Sequence, residues 1–324
     1  MCRWPSCLPK RRERHLEIIR LVVAPVAFNQ DVKALVPLGN LEPKFLTYYI
    51  LAHSEELLKL VSSAGNSAGV LDTELVQNFK FLKPPYQEQR TIANALSDVD
   101  ALHAQLDQLI AKKRDLKQAT MQQLLTGQTR LPGFSGEWEM KRIDQICSLR
   151  TERVDPRIEG TQEFCIELEH IEPASGRLLG SSVASEQASM KTKFKVGDVL
   201  FGKLRAYQRK HWIASLPGVC STEIWVLISN SEFSTPEFLY HLVSTDDFIE
   251  AASTAYGTHM PRSDWKVVRQ VQVALPGLDE QTAIASVLSD MDTELAALEA
   301  RRDKARSLKQ GMMQELLTGR IRLV

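Results

Sequence analysis

The sequence carries no surplus of charge. Its 40 Lys and Arg residues are balanced by 40 Asp and Glu over 324 residues. No global field therefore draws the chain to nucleic acid or to a membrane surface, and any such attraction has to be local. Paired cysteines are also missing. Cys2, Cys7, Cys147, Cys165 and Cys220 are odd in number and show no metal-ligand spacing, which excludes a zinc ribbon and a disulfide framework and fits a reduced, cytoplasmic setting. The seven histidines have no metal spacing either. No run approaches the roughly 20 apolar residues of a membrane span. The stretch Ile18 to Phe28 follows Lys10, Arg11, Arg12 and Arg14 as a secretion signal would, but Arg20 and Pro25 interrupt it and no small-residue cleavage site follows.

What the chain does contain is one long segment written twice. Residues 84–131 align with 276–323 without a gap at an offset of 192 (280 − 88), and 24 of the 48 positions are identical. Shared residues include Glu88/Glu280, Gln89/Gln281, Lys112/Lys304 and Leu124-Leu125-Thr126-Gly127/Leu316-Leu317-Thr318-Gly319. A repeat this far apart is not a solenoid period. It implies two copies of a large unit and pseudo-two-fold symmetry, which suits an object with two related halves such as duplex DNA.

Both copies read as long helices, bounded by Pro84-Pro85 and Pro276-Gly277 at the start and by Gly127 and Gly319 at the end. In the second copy Ile284, Leu288, Met291, Leu295, Leu298, Ala305, Leu308, Met312 and Leu316 recur close to a heptad. The first copy offers Ile92, Leu96, Val99, Leu106, Leu116 and Leu124 at the matching places, less cleanly, with His103 and Lys113 on the seam. From Glu88 to Leu125 such a helix is roughly 55 Å long. One core helix in each of two domains is the plainer reading; because neither helix has apolar surface enough for a globular core, a coiled coil between the copies is preferred, antiparallel because one two-fold axis relates them.

The rest divides accordingly: an unassigned segment 1–20, a partial domain 21–83, the first helix region 84–131, a complete domain 132–275 and the second helix region 276–324. The complete domain opens with a turn-rich linker, Leu131 to Trp138. Strands are expected at Phe164–Leu168, Val196–Phe201, Glu223–Ile228 and Val267–Leu275, and a helix after Ser234-Thr235. The fold class is therefore α+β, internally duplicated, with two long antiparallel helices. At the same offset Val26–Leu35 falls on Gly218–Leu227, and Pro43-Lys44-Phe45-Leu46 falls one residue from Pro236-Glu237-Phe238-Leu239. The first domain thus holds only the last part of the second; counterparts of residues 132–212 are absent.

On these residues the chain resembles the specificity (S) subunits of type I restriction–modification systems. The resemblance rests on Pro84…Glu88-Gln89 and Pro276…Glu280-Gln281, on Leu-Leu-Thr-Gly at both helix ends, on Gly197-Asp198-Val199-Leu200-Phe201-Gly202-Lys203-Leu204-Arg205 and on Gly218 to Glu223. It covers residues 21–324. It implies two target-recognition domains that each read half of a bipartite double-stranded DNA site, and paired helices that set the spacing. Those helices are implied to bind two methyltransferase (M) subunits, which are joined by restriction/translocase (R) subunits. The helix-pair and M-subunit residues it points to are Ile92, Leu96, Val99, Leu106, Leu116, Ile284, Leu288, Met291, Leu295, Leu298 and Leu308. It implies no catalysis and no cofactor in this chain; S-adenosylmethionine, ATP and Mg²⁺ belong to the partners. The missing front of the first domain departs from the family pattern, reads as an N-terminal truncation, and puts recognition of one half-site in question.

The local electrostatic case lies in Met190 to His211, where Lys191, Lys193, Lys195, Lys203, Arg205, Arg209 and Lys210 face one acid, Asp198, with Tyr207, Gln208 and His211 interleaved. Cations of this kind neutralise phosphates, and Arg and Gln pair with guanine and adenine edges; a solvated basic face has the same composition. Thr258, His259 and Arg262 form a second candidate, against a plain connector. Three motifs fall short. Gly197 to Leu204 fails as a P-loop at Leu204, where a hydroxyl is needed. Lys83-Pro84-Pro85-Tyr86 puts an ammonium, which has no acceptor, where an amino-methyltransferase needs one. Asp31 with Glu42-Pro43-Lys44 places a proline inside the strand a nuclease site requires. Two alternatives stand beside a DNA-reading subunit: a degenerate scaffold that binds only M subunits, and a methyltransferase or nuclease in its own right.

Overall fold

The computed structural model describes residues 19–28, 32, 34–58, 61, 62, 70, 71, 74, 77–185, 189–254 and 262–323. In chain order the helices are α1 (Pro43–Ala52), α2 (Ser54–Leu58), α3 (Tyr86–Leu125), α4 (Ile143–Ile146), α5 (Pro156–Glu159), α6 (Pro236–Leu242), α7 (Asp246–Ser253), α8 (Trp265–Val268) and α9 (Leu278–Leu316). The strands are β1 (Val61–Ser62), β2 (Val70–Leu71), β3 (Glu139–Arg142), β4 (Cys147–Leu149), β5 (Arg153–Val154), β6 (Gln162–Ile166), β7 (Ser182–Ala184), β8 (Lys191–Phe194), β9 (Val199–Gly202), β10 (His211–Ile213), β11 (Gly218–Ser221), β12 (Ile224–Ser229) and β13 (Gln272–Leu275). The chain forms two compact units, one of residues 1–110 with 297–324 and one of residues 111–296. Each long helix contributes one part to each unit.

Among the described residues unit 1 holds one two-residue ribbon, β1 with β2, and unit 2 holds the larger sheets. One is antiparallel in the order β10-β9-β12-β4; the other runs β5-β8-β11-β6-β7, with β11 parallel to β6. A short ribbon pairs β13 with β3. The strand sequences are apolar because most are covered: β9 is buried throughout, and Trp225, Val226 and Leu227 of β12 are buried. Between the sheets lie Ile166, Phe194, Leu200, Trp212, Cys220 and Val226. The other face of the first sheet packs on Phe238 and Leu239 of α6 and Phe248 of α7, on Leu124 and Leu125 of α3, and on Ile284 and Leu288 of α9. Helix α6 starts where expected, because Thr235 Oγ1 accepts from Phe238 N and Pro236 occupies the first turn. The expected strand Val267–Leu275 is corrected: Asp264 caps Lys266 N and starts the short helix α8, so only Gln272–Leu275 is extended.

Unit 1 is built on the same plan with fewer parts. Phe45, Tyr48 and Tyr49 of α1 pack on Ile92, Ala93 and Leu96 of α3 and on Leu316 and Leu317. The 192-residue offset carries Ile92, Leu96, Leu316 and Leu317 onto Ile284, Leu288, Leu124 and Leu125, all buried. In both units the start of one long helix meets the end of the other. Full burial of side chains this size stabilises by about 1.5–3 kcal/mol each. Gly127 and Gly319 end the helices at φ +72 and +74, a left-handed geometry glycine adopts without strain. At Gly127 the face of Trp138 lies 3.3 Å from where a Cβ would stand.

The described residues of 19–38 carry no helix or strand, and Val23 and Leu38 are 88% and 81% exposed. Their counterparts Gly218–Leu227 form β11 and most of β12, each paired on both sides. Central strands of this kind need ladder partners for their backbone groups, and the described part of unit 1 has no counterpart of β4, β6, β8 or β9.

The long helices run antiparallel. In unit 1, Lys309 pairs with Asp100 at 2.6 Å and Arg302 with Asp107 at 3.9 Å; in unit 2, Lys113 pairs with Glu294 at 2.7 Å and Lys117 with Asp292. The expected seam is corrected in its middle. Leu116 and Leu308, equivalent positions, are 51% and 56% exposed, whereas Ile110, off the expected seam, is buried. Val99, Met291, Leu295 and Leu298 are half-buried, and Leu106 is buried. A straight helix drifts by about 20° per heptad, so a repeat begun at Ile284 has rotated away from its partner by Leu308. Among the described residues no helix is long and apolar enough to cross a membrane.

Candidate nucleic-acid interface

The basic segment runs through β8, β9 and β10 and the two turns between them. Its first lysines are not free. Lys191 is only 6% exposed and holds Glu167 at 2.5 Å; Lys193 pairs with Glu152 and Glu159 at 3.4 and 3.5 Å. Lys195 is exposed and has no acidic partner among the described residues. Asp198 is the hub of the first turn: one oxygen accepts from Lys195 N, and the carboxylate takes a bidentate pair from Arg150 at 2.7 and 2.9 Å. The single acid of the basic segment therefore neutralises an arginine from outside it.

The second turn, residues 203–210, holds two of the three non-glycine residues with positive φ among the described residues. Arg205 and Arg209 have φ of +55 and +51 and bracket a single 3₁₀ turn, Ala206–Gln208. Left-handed conformations at non-glycine residues cost roughly 1–3 kcal/mol each and persist only where the surroundings impose them. Gly202 N donates to Lys210 O at 2.8 Å, Lys203 N to Glu223 O at 3.0 Å and Ser263 N to Lys203 O at 2.8 Å. Arg209 Nη1 donates to Ser244 O at 2.9 Å and its Nη2 pairs with Asp246; Lys210 Nζ donates to Leu168 O at 2.6 Å. Burial pushes the Lys210 ammonium below its ordinary range. With its flanks fixed, the turn projects Arg205 and Tyr207, the latter 59% exposed. Arg205 has no ion pair among the described residues. Gln208 is half-buried.

His211 belongs to the interior. It is 5% exposed, faces Tyr240 at 5.0 Å, and burial lowers its pKa to about 4. Nearby His241 is lowered to about 3 for the same reason, with Lys117 adding to it. The reading of Lys191 and His211 as surface contacts is thus corrected: both are covered by the fold. Lys193, Arg209 and Lys210 are tied to protein acceptors, so the continuous basic face reduces to Lys195, Lys203 and Arg205. Arg262 pairs with Glu223 at 2.9 Å, and its backbone bridges Leu204. Thr258 and His259 lie outside the described residues. Among the described residues no group of three or more His, Cys, Asp and Glu is placed to hold a metal ion.

Composition missed the clamps of the helix pair. Arg130 donates to Glu280 and Arg322 to Glu88, both bidentate. Both arginines follow the Leu-Leu-Thr-Gly ends by three residues and are identical in the repeat, a signal the sequence already contained. It also missed Arg153 and three threonines around Lys203, because they come from distant strands.

These features define an α+β protein with a sheet-rich unit and a duplicated pair of long helices, clamped within each unit by one Arg–Glu pair. The model of the type I restriction modification DNA specificity domain matches residues 17–112 and 135–305, and the chain belongs to that family. It is 23% identical over 301 residues to the type I restriction enzyme MjaVIII specificity subunit of Methanocaldococcus jannaschii, covering 85% of this chain and 70% of that protein. It is 26% identical over 210 residues to the EcoDI specificity subunit of Escherichia coli, covering 64% of this chain and 45% of that protein. The crystal structure of a type I restriction–modification S subunit from M. genitalium aligns over 86% of this chain and 73% of its own with a TM-score of 0.57 and 15% identity, which shows a shared fold.

Proposed function

We propose that this chain is the sequence-reading subunit of a type I restriction–modification complex, with no catalysis of its own. Unit 2 reads one half of a bipartite double-stranded DNA target through the turn at 203–210. The paired helices α3 and α9 dock two M subunits, through which R subunits join; S-adenosylmethionine, ATP and Mg²⁺ act on those partners. The observation that carries the reading is the strained, multiply anchored turn that presents Arg205 and Tyr207 to solvent. Its backbone energy is offset by fixed flanks, and its exposed tip combines a guanidinium that has no ion pair among the described residues with an aromatic ring, the groups that contact phosphates and base edges.

The test is reconstitution. The purified chain alone should transfer no methyl group from S-adenosylmethionine and cut no DNA with Mg²⁺ and ATP. Mixed with M subunits it should direct methylation to one sequence. Binding of M subunits with no salt-dependent binding of any duplex would support a scaffold instead. Methylation or cleavage by the chain alone would make it an enzyme.

A further inference from the structure

We infer that a cleft beside the 203–210 turn is a seat for a DNA backbone phosphate, fixing the register in which the turn meets the bases. The inference rests on the DNA-reading function proposed above and adds the site and its chemistry. The cleft has a volume of about 390 Å³ and lies in unit 2, lined by Thr151, Arg153, Thr192, Lys203 and Thr222 over a floor that includes Trp225. It forms where the chain passes between the two sheets, from β4 to β5 and again from β11 to β12. Both crossings are tied down: Arg150 N donates to Val226 O at 2.8 Å, and Lys203 N to Glu223 O at 3.0 Å.

The charges around the cleft sort into spent and unspent. Arg150 also lines it, but its guanidinium is 15% exposed and cancelled by Asp198. The nearby acids are engaged, Glu152 by Lys193 and Glu223 by Arg262. Arg153 is exposed, and among the described residues its guanidinium has one hydrogen-bond partner, the Met190 thioether at 3.9 Å. Lys203 has no acidic partner among the described residues. The hydroxyls of Thr151, Thr192 and Thr222 make no hydrogen bond there either. Among the described residues, two cations without an acidic partner and three hydroxyls without a hydrogen bond face a cleft whose lining holds no carboxylate, which suits an anion rich in acceptor oxygens. The floor does not yield: Trp225 is 8% exposed, with Phe201 and Trp265 at 6.1 and 5.5 Å. Lys203 stands two residues before Arg205, so a phosphate held here places its nucleotide beside the exposed tip. Phosphate contacts position while base contacts specify.

The experiment measures duplex affinity against salt for the full chain, with a mixed-sequence duplex and with one selected from a random pool. Arg153→Met and Lys203→Met should each weaken both duplexes by the same factor. Each should lower the slope of log affinity against log salt by about one, and the double variant by about two. Lys203→Arg should restore the slope, and Lys266→Met, away from the cleft, should leave it unchanged. Unchanged slopes in Arg153→Met and Lys203→Met, with wild type binding normally, would overturn the phosphate seat while leaving the DNA-reading function intact. Stabilisation of wild type by inorganic phosphate that both variants lose, with duplex binding unaltered, would make the cleft a site for free phosphate and overturn it too. No duplex binding by wild type would sink both inferences.

Discussion

Arg130 donates two hydrogen bonds to Glu280, Nε to Oε1 at 2.5 Å and Nη2 to Oε2 at 2.6 Å. Arg322 repeats this on Glu88, with both distances 2.6 Å. Each glutamate opens one long helix and each arginine follows the end of the other, so every clamp joins one copy of the repeat to the other copy. Glu280 and Glu88 are 4% and 8% exposed. Removing either arginine leaves a covered carboxylate without its cation, Glu280 keeping the Trp138 Nε1 donor at 3.2 Å, which is worse than removing both partners. Arg130→Met should therefore lower the unfolding midpoint more than the double variant Arg130→Met/Glu280→Gln. Additive effects in a double-mutant cycle would show that the clamp is incidental.

Gln281 and Gln89 make a second duplicated set. Gln281 accepts from Thr235 N and donates to Phe233 O and Pro276 O, while Gln89 accepts from Glu42 N and donates to Asn40 O and Pro84 O. Both are fully buried. Gln281→Leu orphans three backbone groups, each worth about 1–3 kcal/mol when left unpaired. A loss of about 3 kcal/mol or more is expected in denaturant unfolding; a loss under about 1 kcal/mol would mean that the network relaxes.

Acid should weaken unit 2 through two buried histidines. His211 and His241 have folded pKa values of about 4 and about 3, below the ordinary 6.5. Between those values the unfolded chain binds more protons than the folded one, so stability is lost as pH falls from about 7 towards 4. Each histidine contributes up to about 2 kcal/mol of that loss by pH 5. Asp292, whose carboxyl burial raises against the lowering effect of Lys117, acts in the opposite sense. Urea midpoints at pH 7.5 and 5 check this: the drop should shrink in His241→Gln, and an equal drop would assign it elsewhere.

Arg205 separates strain from contact. Arg205→Gly removes the side chain and relieves a left-handed residue, so it should keep or raise stability by about 1 kcal/mol while weakening duplex binding. Arg205→Ala should weaken binding equally and leave the strain. Loss of binding in neither variant would return the turn to a structural role.

Much of this was legible from residue order. The repeat, the helix ends and the antiparallel pairing follow from a 192-residue offset and from proline and glycine placement, which are local signals. The middle of the helix seam was not legible, because a heptad pattern ignores the drift that exposes Leu116 and Leu308. Nor was the sorting of the basic segment. Lys191 and Lys203 look alike in sequence, and what separates them is Glu167, brought in by β6, against an open cleft. The partners that neutralise or free a cation sit tens of residues away, and composition does not see them.

The central claim is that unit 2 reads DNA sequence through the turn at 203–210. Its most direct test is selection of duplexes from a random pool by the chain assembled with M subunits, for wild type and for a variant with Arg205, Tyr207 and Gln208 all replaced by Ala. The account predicts one enriched half-site in wild type that is degraded or lost at specific positions in the variant. The same half-site, enriched equally by both, would contradict it.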